Sequence, residues 1–141
     1  GTGQVEHPLV HIFGEFAAKA GLAFQLRDDV LGLLADEHEL GKPVGSDIRK
    51  GKRTMLVAVA LEQLDIPDKE RLLHGLGKLD LPEDECAALI ELIRQSGAVD
   101  VVESRASALV AEAQSLLDKV PAGPYRDLLR QWADYVCNRT Y

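Results

Sequence analysis

The chain has 141 residues, 46% hydrophobic and 28% charged, with 16 Lys plus Arg against 23 Asp plus Glu for a net charge of −7. That balance suits one globular region and excludes wholesale disorder, while the acidic excess argues against nucleic acid, which needs a broad basic face. No apolar run reaches the ~18–20 residues that span a bilayer, and no basic start with an apolar core marks a secretory signal, so a cytoplasmic protein that does not span a membrane is expected.

With 12 Gly and 6 Pro, mostly between periodic segments, long helices are the expectation. The first runs from about Pro8 to Leu34. Pro8 suits a first helical turn, where its missing N–H has no helical partner. Leu9, Phe13, Phe16, Ala20, Phe24, Leu31 and Leu34 recur mainly at three- and four-residue steps and predict one buried face. Gly14 and Gly21 each weaken that helix by roughly 1 kcal/mol relative to Ala, which suggests a neighbouring helix or a ligand in close approach.

From Ala35 to Arg53 the period vanishes into a glycine-, proline- and charge-rich loop, long for a helix–helix connection and therefore a functional candidate. A helix resumes near Lys52 and continues to about Leu64. Its run Met55-Leu56-Val57-Ala58-Val59-Ala60-Leu61 is apolar on all sides and predicts a central buried helix. Pro67 and Asp68 restart a short helix to about Leu79, and Pro82 opens another that Gly97 stops. Ala98 to Val120 reads as a long amphipathic helix, and after Pro121-Ala122-Gly123-Pro124 a last helix covers about Tyr125 to Cys137. There is no useful strand alternation and no internal repeat. The expected architecture is all-α, with about six helices. Cys86 and Cys137 match no zinc or redox spacing and read as small buried hydrophobes, in keeping with a reducing compartment.

The chemistry concentrates around Gln25, Asp28 and Asp29. On a helix, Gln25, Asp28, Asp29 and Gly32 fall at steps of three and four, and adjacent carboxylates repel unless a cation joins them. Mg²⁺, a hard cation that takes oxygen ligands and keeps several waters, fits such a group, although a solvated polar face would look the same. Shortly afterwards Lys42, Arg49, Lys50, Lys52 and Arg53 place five cations within a dozen residues of an otherwise acidic chain. Carboxylates, metal and lysines together can hold a polyphosphate. The segment is not a Walker loop. Five residues separate Gly45 from Gly51, Arg53 intervenes before Thr54, and no strand precedes it.

Phe24-Gln25-Leu26-Arg27-Asp28-Asp29-Val30-Leu31-Gly32, followed by Gly41-Lys42-Pro43-Val44-Gly45-Ser46-Asp47 and Gly51-Lys52-Arg53-Thr54, closely resembles the second aspartate-rich region of the trans-isoprenyl diphosphate synthases, the polyprenyl synthetase family. The resemblance implies an all-α isoprenoid-synthase bundle, a homodimer, and Mg²⁺-dependent condensation of isopentenyl diphosphate with an allylic diphosphate. It assigns Mg²⁺ to Asp28 with Asp29 beside it, and Gln25 to the amide near the reacting carbons and diphosphate. Lys42 and Lys52 correspond to lysines that neutralise the allylic diphosphate, and Asp47 to an acidic residue of the same loop. Two departures accompany it: Gly32 stands where the motif usually ends in Asp, and the family's first aspartate-rich motif is absent. The chain is thus expected to be the C-terminal half of such an enzyme, inactive by itself, or a helical subunit that regulates a complete synthase.

His7 and His11 are spaced i, i+4 but lack a third ligand, so surface histidines are expected. Tyr125, Trp132 and Tyr135 are expected to make core or subunit contacts.

Overall fold

The computed structural model describes residues 8–34 and 45–138, with side-chain surroundings given for 9–34 and 45–135. Seven helices occur among them: α1 (Pro8–Leu34), α2 (Ser46–Arg49), α3 (Met55–Gln63), α4 (Ile66–Gly75), α5 (Glu83–Gln95), α6 (Ala98–Leu117) and α7 (Pro124–Asn138). The all-α expectation holds. The helix beyond the expected six is α2, a single turn inside the segment predicted to be loop. The described residues fall into two compact units, one of 8–27 with 105–138 and one of 28–34 with 45–104.

In the first unit, α1 buries Phe16, Ala20, Ala23 and Leu26. The buried stripe continues along α1 in the other unit through Val30 and Leu33, whereas Phe24 is 36% exposed and Leu31 and Leu34 are half-buried. The predicted face therefore drifts after Ala20. Ala23 and Phe24 both lie one helical step beyond Ala20, and it is the smaller Ala23 that is buried. Tyr125 meets Phe13 edge-on, with ring centroids 6.1 Å apart and planes at 89°, and Trp132 leans on Phe16 at 6.1 Å. Such ring pairs add about 0.5–1.5 kcal/mol beyond the area they bury. Both residues nevertheless remain exposed, as does Tyr135. The Lys19 ammonium reaches Glu112 at 2.9 Å, and Arg130 of α7 pairs with Asp118.

Among the described residues, nothing beyond the adjoining backbone of α1 itself lies within 4 Å of a Cβ built on Gly14 or Gly21. The expected neighbouring helix is thus not found at either glycine among the described residues. Gly14→Ala and Gly21→Ala should each raise stability by about 0.5–1 kcal/mol, because alanine costs less conformational entropy in a helix and meets nothing there. The denaturant midpoint of each variant reads this directly, and a lower midpoint would contradict the open surroundings.

In the second unit, α5 packs against α3 and α4. Ile48, Leu56, Leu72, Cys86, Leu89 and Ile93 are at most 1% exposed and form its core. Helix α3 starts at Met55 rather than near Lys52, because Thr54 caps it: the Thr54 hydroxyl accepts the Val57 N–H at 3.2 Å. It is not buried on all sides. Leu56, Val57 and Ala60 are buried, but Met55 is 42% exposed and Ala58 is also exposed. Asp65 caps α4 by accepting the Asp68 N–H at 3.0 Å. That helix ends at Gly75, short of the predicted Leu79, because Gly77 takes a left-handed φ of 84° and donates its N–H to the Ile48 carbonyl instead. Cys86 is buried as predicted, and burial pushes its thiol pKa up; Cys137 lies outside the described side chains. His11 is exposed as expected, whereas His7 lies outside the described residues.

Candidate functional site

Asp28 and Asp29 lie in the last two turns of α1. Successive residues of a helix diverge by about 100°, so the adjacent carboxylates separate. Asp29 is only 6% exposed, while Asp28 is half-buried. A buried carboxylate is costly unless paired, and here its partner comes from the cationic segment. Lys52 Nζ donates to Asp29 Oδ1 at 3.3 Å.

Backbone geometry delivers that ammonium. Gly45 takes φ 82° and starts α2; the Ile48 side chain plugs into the core; and Gly51, at φ 66°, reverses the chain after one turn. The Lys52 N–H donates to the Asp47 carbonyl at 3.0 Å, which fixes where the lysine stem leaves the turn. Asp47 joins Asp29, Lys52 and Thr54 around a cavity of about 10 Å³, closed below by Leu33, Ile48, Leu56 and Val57. Burial is the largest single influence on the Lys52 pKa and lowers it. The hydrogen bond that Lys52 donates to Asp29 and the charges of Asp47, Asp29 and Asp28 together outweigh it and hold the ammonium above its ordinary 10.5. Lys52 is thus a firmly charged cation with a 45% exposed side chain, set among three carboxylates.

The structure therefore brings Asp28, Asp29, Asp47 and Lys52 together. Gln25 is exposed on α1 and belongs to the first unit. Lys42 lies outside the described residues. Arg49 is tied down, its Nε donating to the Leu81 carbonyl at 3.0 Å, while Lys50 and Arg53 are exposed. Two contributors escaped the sequence reading. Thr54 carries a recognisable signal, a hydroxyl residue just ahead of an apolar helix. Gly77 carries none, because its partner Ile48 is remote in sequence.

Among the described residues, no group of three or more His, Cys, Asp or Glu is placed to hold a metal. Mg²⁺ needs no such cage, being commonly bound by one or two carboxylates, waters and the oxygens of a substrate phosphate. Asp28, the more exposed of the two carboxylates, fits as a ligand of a metal shared with a phosphorylated ligand, while the neighbouring Asp29 holds Lys52 beside it.

An all-helical chain with this arrangement has the isoprenoid-synthase fold. Geranylgeranyl pyrophosphate synthase of Corynebacterium glutamicum, solved in complex with isoprenyl diphosphate and magnesium, superposes with a TM-score of 0.86 at 37% identity. That match covers 95% of this chain and 39% of that one. A polyprenyl synthetase family model matches residues 3–93, and the chain belongs to the polyprenyl synthetase family. Geranylfarnesyl diphosphate synthase of Aeropyrum pernix is 37% identical over 91% of this chain and 40% of its own length. A short chain isoprenyl diphosphate synthase of Methanocaldococcus jannaschii is 49% identical over 58% of this chain and 25% of its own. The chain thus spans well under half the length of these relatives.

Proposed function

We propose that this chain is the C-terminal half of a prenyltransferase that condenses isopentenyl diphosphate with an allylic diphosphate, and that it supplies the allylic-diphosphate side of the site. The observation that carries this reading is the Lys52 ammonium held on the buried Asp29 at 3.3 Å, with Asp28 and Asp47 beside it. Such a cation can oppose the charge that develops on a departing diphosphate when the allylic C–O bond breaks and its electron pair leaves with the phosphate oxygen. The adjoining cavity has room for about one water, so the diphosphate meets Lys52 from its solvent side. Asp28, with Asp29 next to it, would hold Mg²⁺. When bound, the metal would neutralise phosphate oxygens and so favour their departure. Lys42 adds a second ammonium and Gln25 an amide near the reacting carbons, as the resemblance implies. A homodimer and a cytoplasmic location belong to the same proposal.

Titrating the chain with inorganic pyrophosphate, with and without Mg²⁺, tests this. Weak binding that requires Mg²⁺ is expected, and Asp28→Ala should weaken it about tenfold or more by removing a metal ligand. Binding that ignores Mg²⁺, or that survives in Asp28→Ala, would overturn the reading. Gly32, in place of the motif's last carboxylate, favours a second reading as a non-catalytic subunit of a complete synthase. No pyrophosphate binding, together with changed product length when the chain is added to such an enzyme, would select it.

A further inference from the structure

The cationic segment does not hold its shape alone. Residues 45–51 lie along the α4–α5 hairpin and are fastened to it at successive points. Beneath Gly45, the buried Cys86 of α5 sits so close that a Cβ on Gly45 would lie 2.9 Å from the Cys86 Cβ and Sγ. Next, the Ile48 carbonyl accepts two N–H groups, from Gly51 at 3.0 Å within the turn and from Gly77 at 2.9 Å across from the hairpin connector. The Arg49 side chain reaches the far end of that connector, with Nε donating to the Leu81 carbonyl at 3.0 Å. Finally, Gly51 lies backbone to backbone on Gly77, where a Cβ on Gly51 would be 3.1 Å from the Gly77 Cα and 3.3 Å from its nitrogen.

Lys52 follows directly. Its N–H is bound to Asp47 in the same turn, and its stem starts from the residue beside the Gly51–Gly77 contact. Gly77 is exposed, carries no charge and adds no side chain to the cavity at Asp29. We propose that Gly77, in the connector between α4 and α5, is a positioning residue for Lys52: it clamps the one-turn segment from which the ammonium is aimed at Asp29. The proposal rests on the reading of Lys52 as a diphosphate-binding residue. The α4–α5 hairpin is then the seat of the phosphate-binding turn as well as a packing element.

Gly77 offers a clean test, because its φ of 84° excludes most side chains while the space around it among the described residues is open, a Cβ there lying 4.0 Å from the Gly51 Cα. Valine strains that backbone, whereas asparagine tolerates the left-handed region. In Gly77→Val, amide hydrogen exchange of residues 48–53 should accelerate and Mg²⁺-dependent pyrophosphate binding should weaken by about tenfold. Gly77→Asn should restore both. If Gly77→Val fails to fold, Gly77→Ala gives a milder form of the same strain with the same two readouts. Unchanged exchange and unchanged binding in a folded Gly77→Val or Gly77→Ala would overturn the proposal, as would failure of Gly77→Asn to rescue. Lys52→Ala separates the two levels: if it leaves pyrophosphate binding intact, the reading of Lys52 fails, while exchange at 48–53 still reports whether Gly77 clamps the turn.

Discussion

Lys52→Ala is expected to remove Mg²⁺-dependent pyrophosphate binding, a loss of about tenfold or more, the scale of a charge-assisted hydrogen bond. It should also lower stability, because Asp29 is 6% exposed and loses the ammonium that compensates its burial. A fully buried pair broken on one side costs more than an exposed one, but the Lys52 side chain is 45% exposed and solvent screens it. An intermediate cost of about 1–2 kcal/mol follows. Lys52→Met separates the contributions, since it keeps most of the apolar stem and removes only the charge. Isothermal titration and a denaturant midpoint on the two variants check both effects. If Lys52→Met binds Mg²⁺-pyrophosphate like the parent chain, the ammonium is not a phosphate ligand.

Gly51→Val is expected to be the more damaging change to the fold. Gly51 sits at φ 66°, a conformation that β-branched residues rarely adopt. Its new Cβ would press on the backbone of Gly77, and that backbone cannot give way freely because the Gly77 N–H is bound to Ile48. Left-handed strain and overpacking add to about 3 kcal/mol. For a chain of this size that lowers Tm by roughly 10 °C. Thermal unfolding measures the shift, and an unchanged Tm would show that the Gly51–Gly77 contact is not a constraint. The contrast with Gly14 and Gly21 is instructive. They are the same residue type, yet substitution there is expected to stabilise, because α1 gives each a helical backbone and open surroundings.

Much of the fold was legible because helical period, proline and glycine punctuation are local signals. Residues 8–34 are helical throughout, as the sequence predicts for α1, and α5 and α7 lie within a residue or two of expectation. The errors share one physical origin. The path of the buried stripe beyond Ala20, the exposure of Met55 and the early end of α4 at Gly75 all depend on which neighbours cover a helix face or capture a backbone group. Local pattern carries no record of that. The loss of the helix beyond Gly75 is the clearest case, since the Gly77 N–H serves a carbonyl 29 residues earlier.

For the site the division is similar. The sequence alone determined the ingredients: a carboxylate pair on a helix, a cationic segment after it, and a spacing distinctive enough to name the family. Only the tertiary structure decided which partners meet. It buried Asp29 and left Asp28 nearer to solvent, because neighbouring helical residues point in different directions. It gave Lys52 to Asp29 and drew the Arg49 guanidinium onto the Leu81 carbonyl. Residue type sets what a side chain can do, but a charge finds its counterpart only where the packed backbone places both, and a buried carboxylate makes that placement a condition of stability.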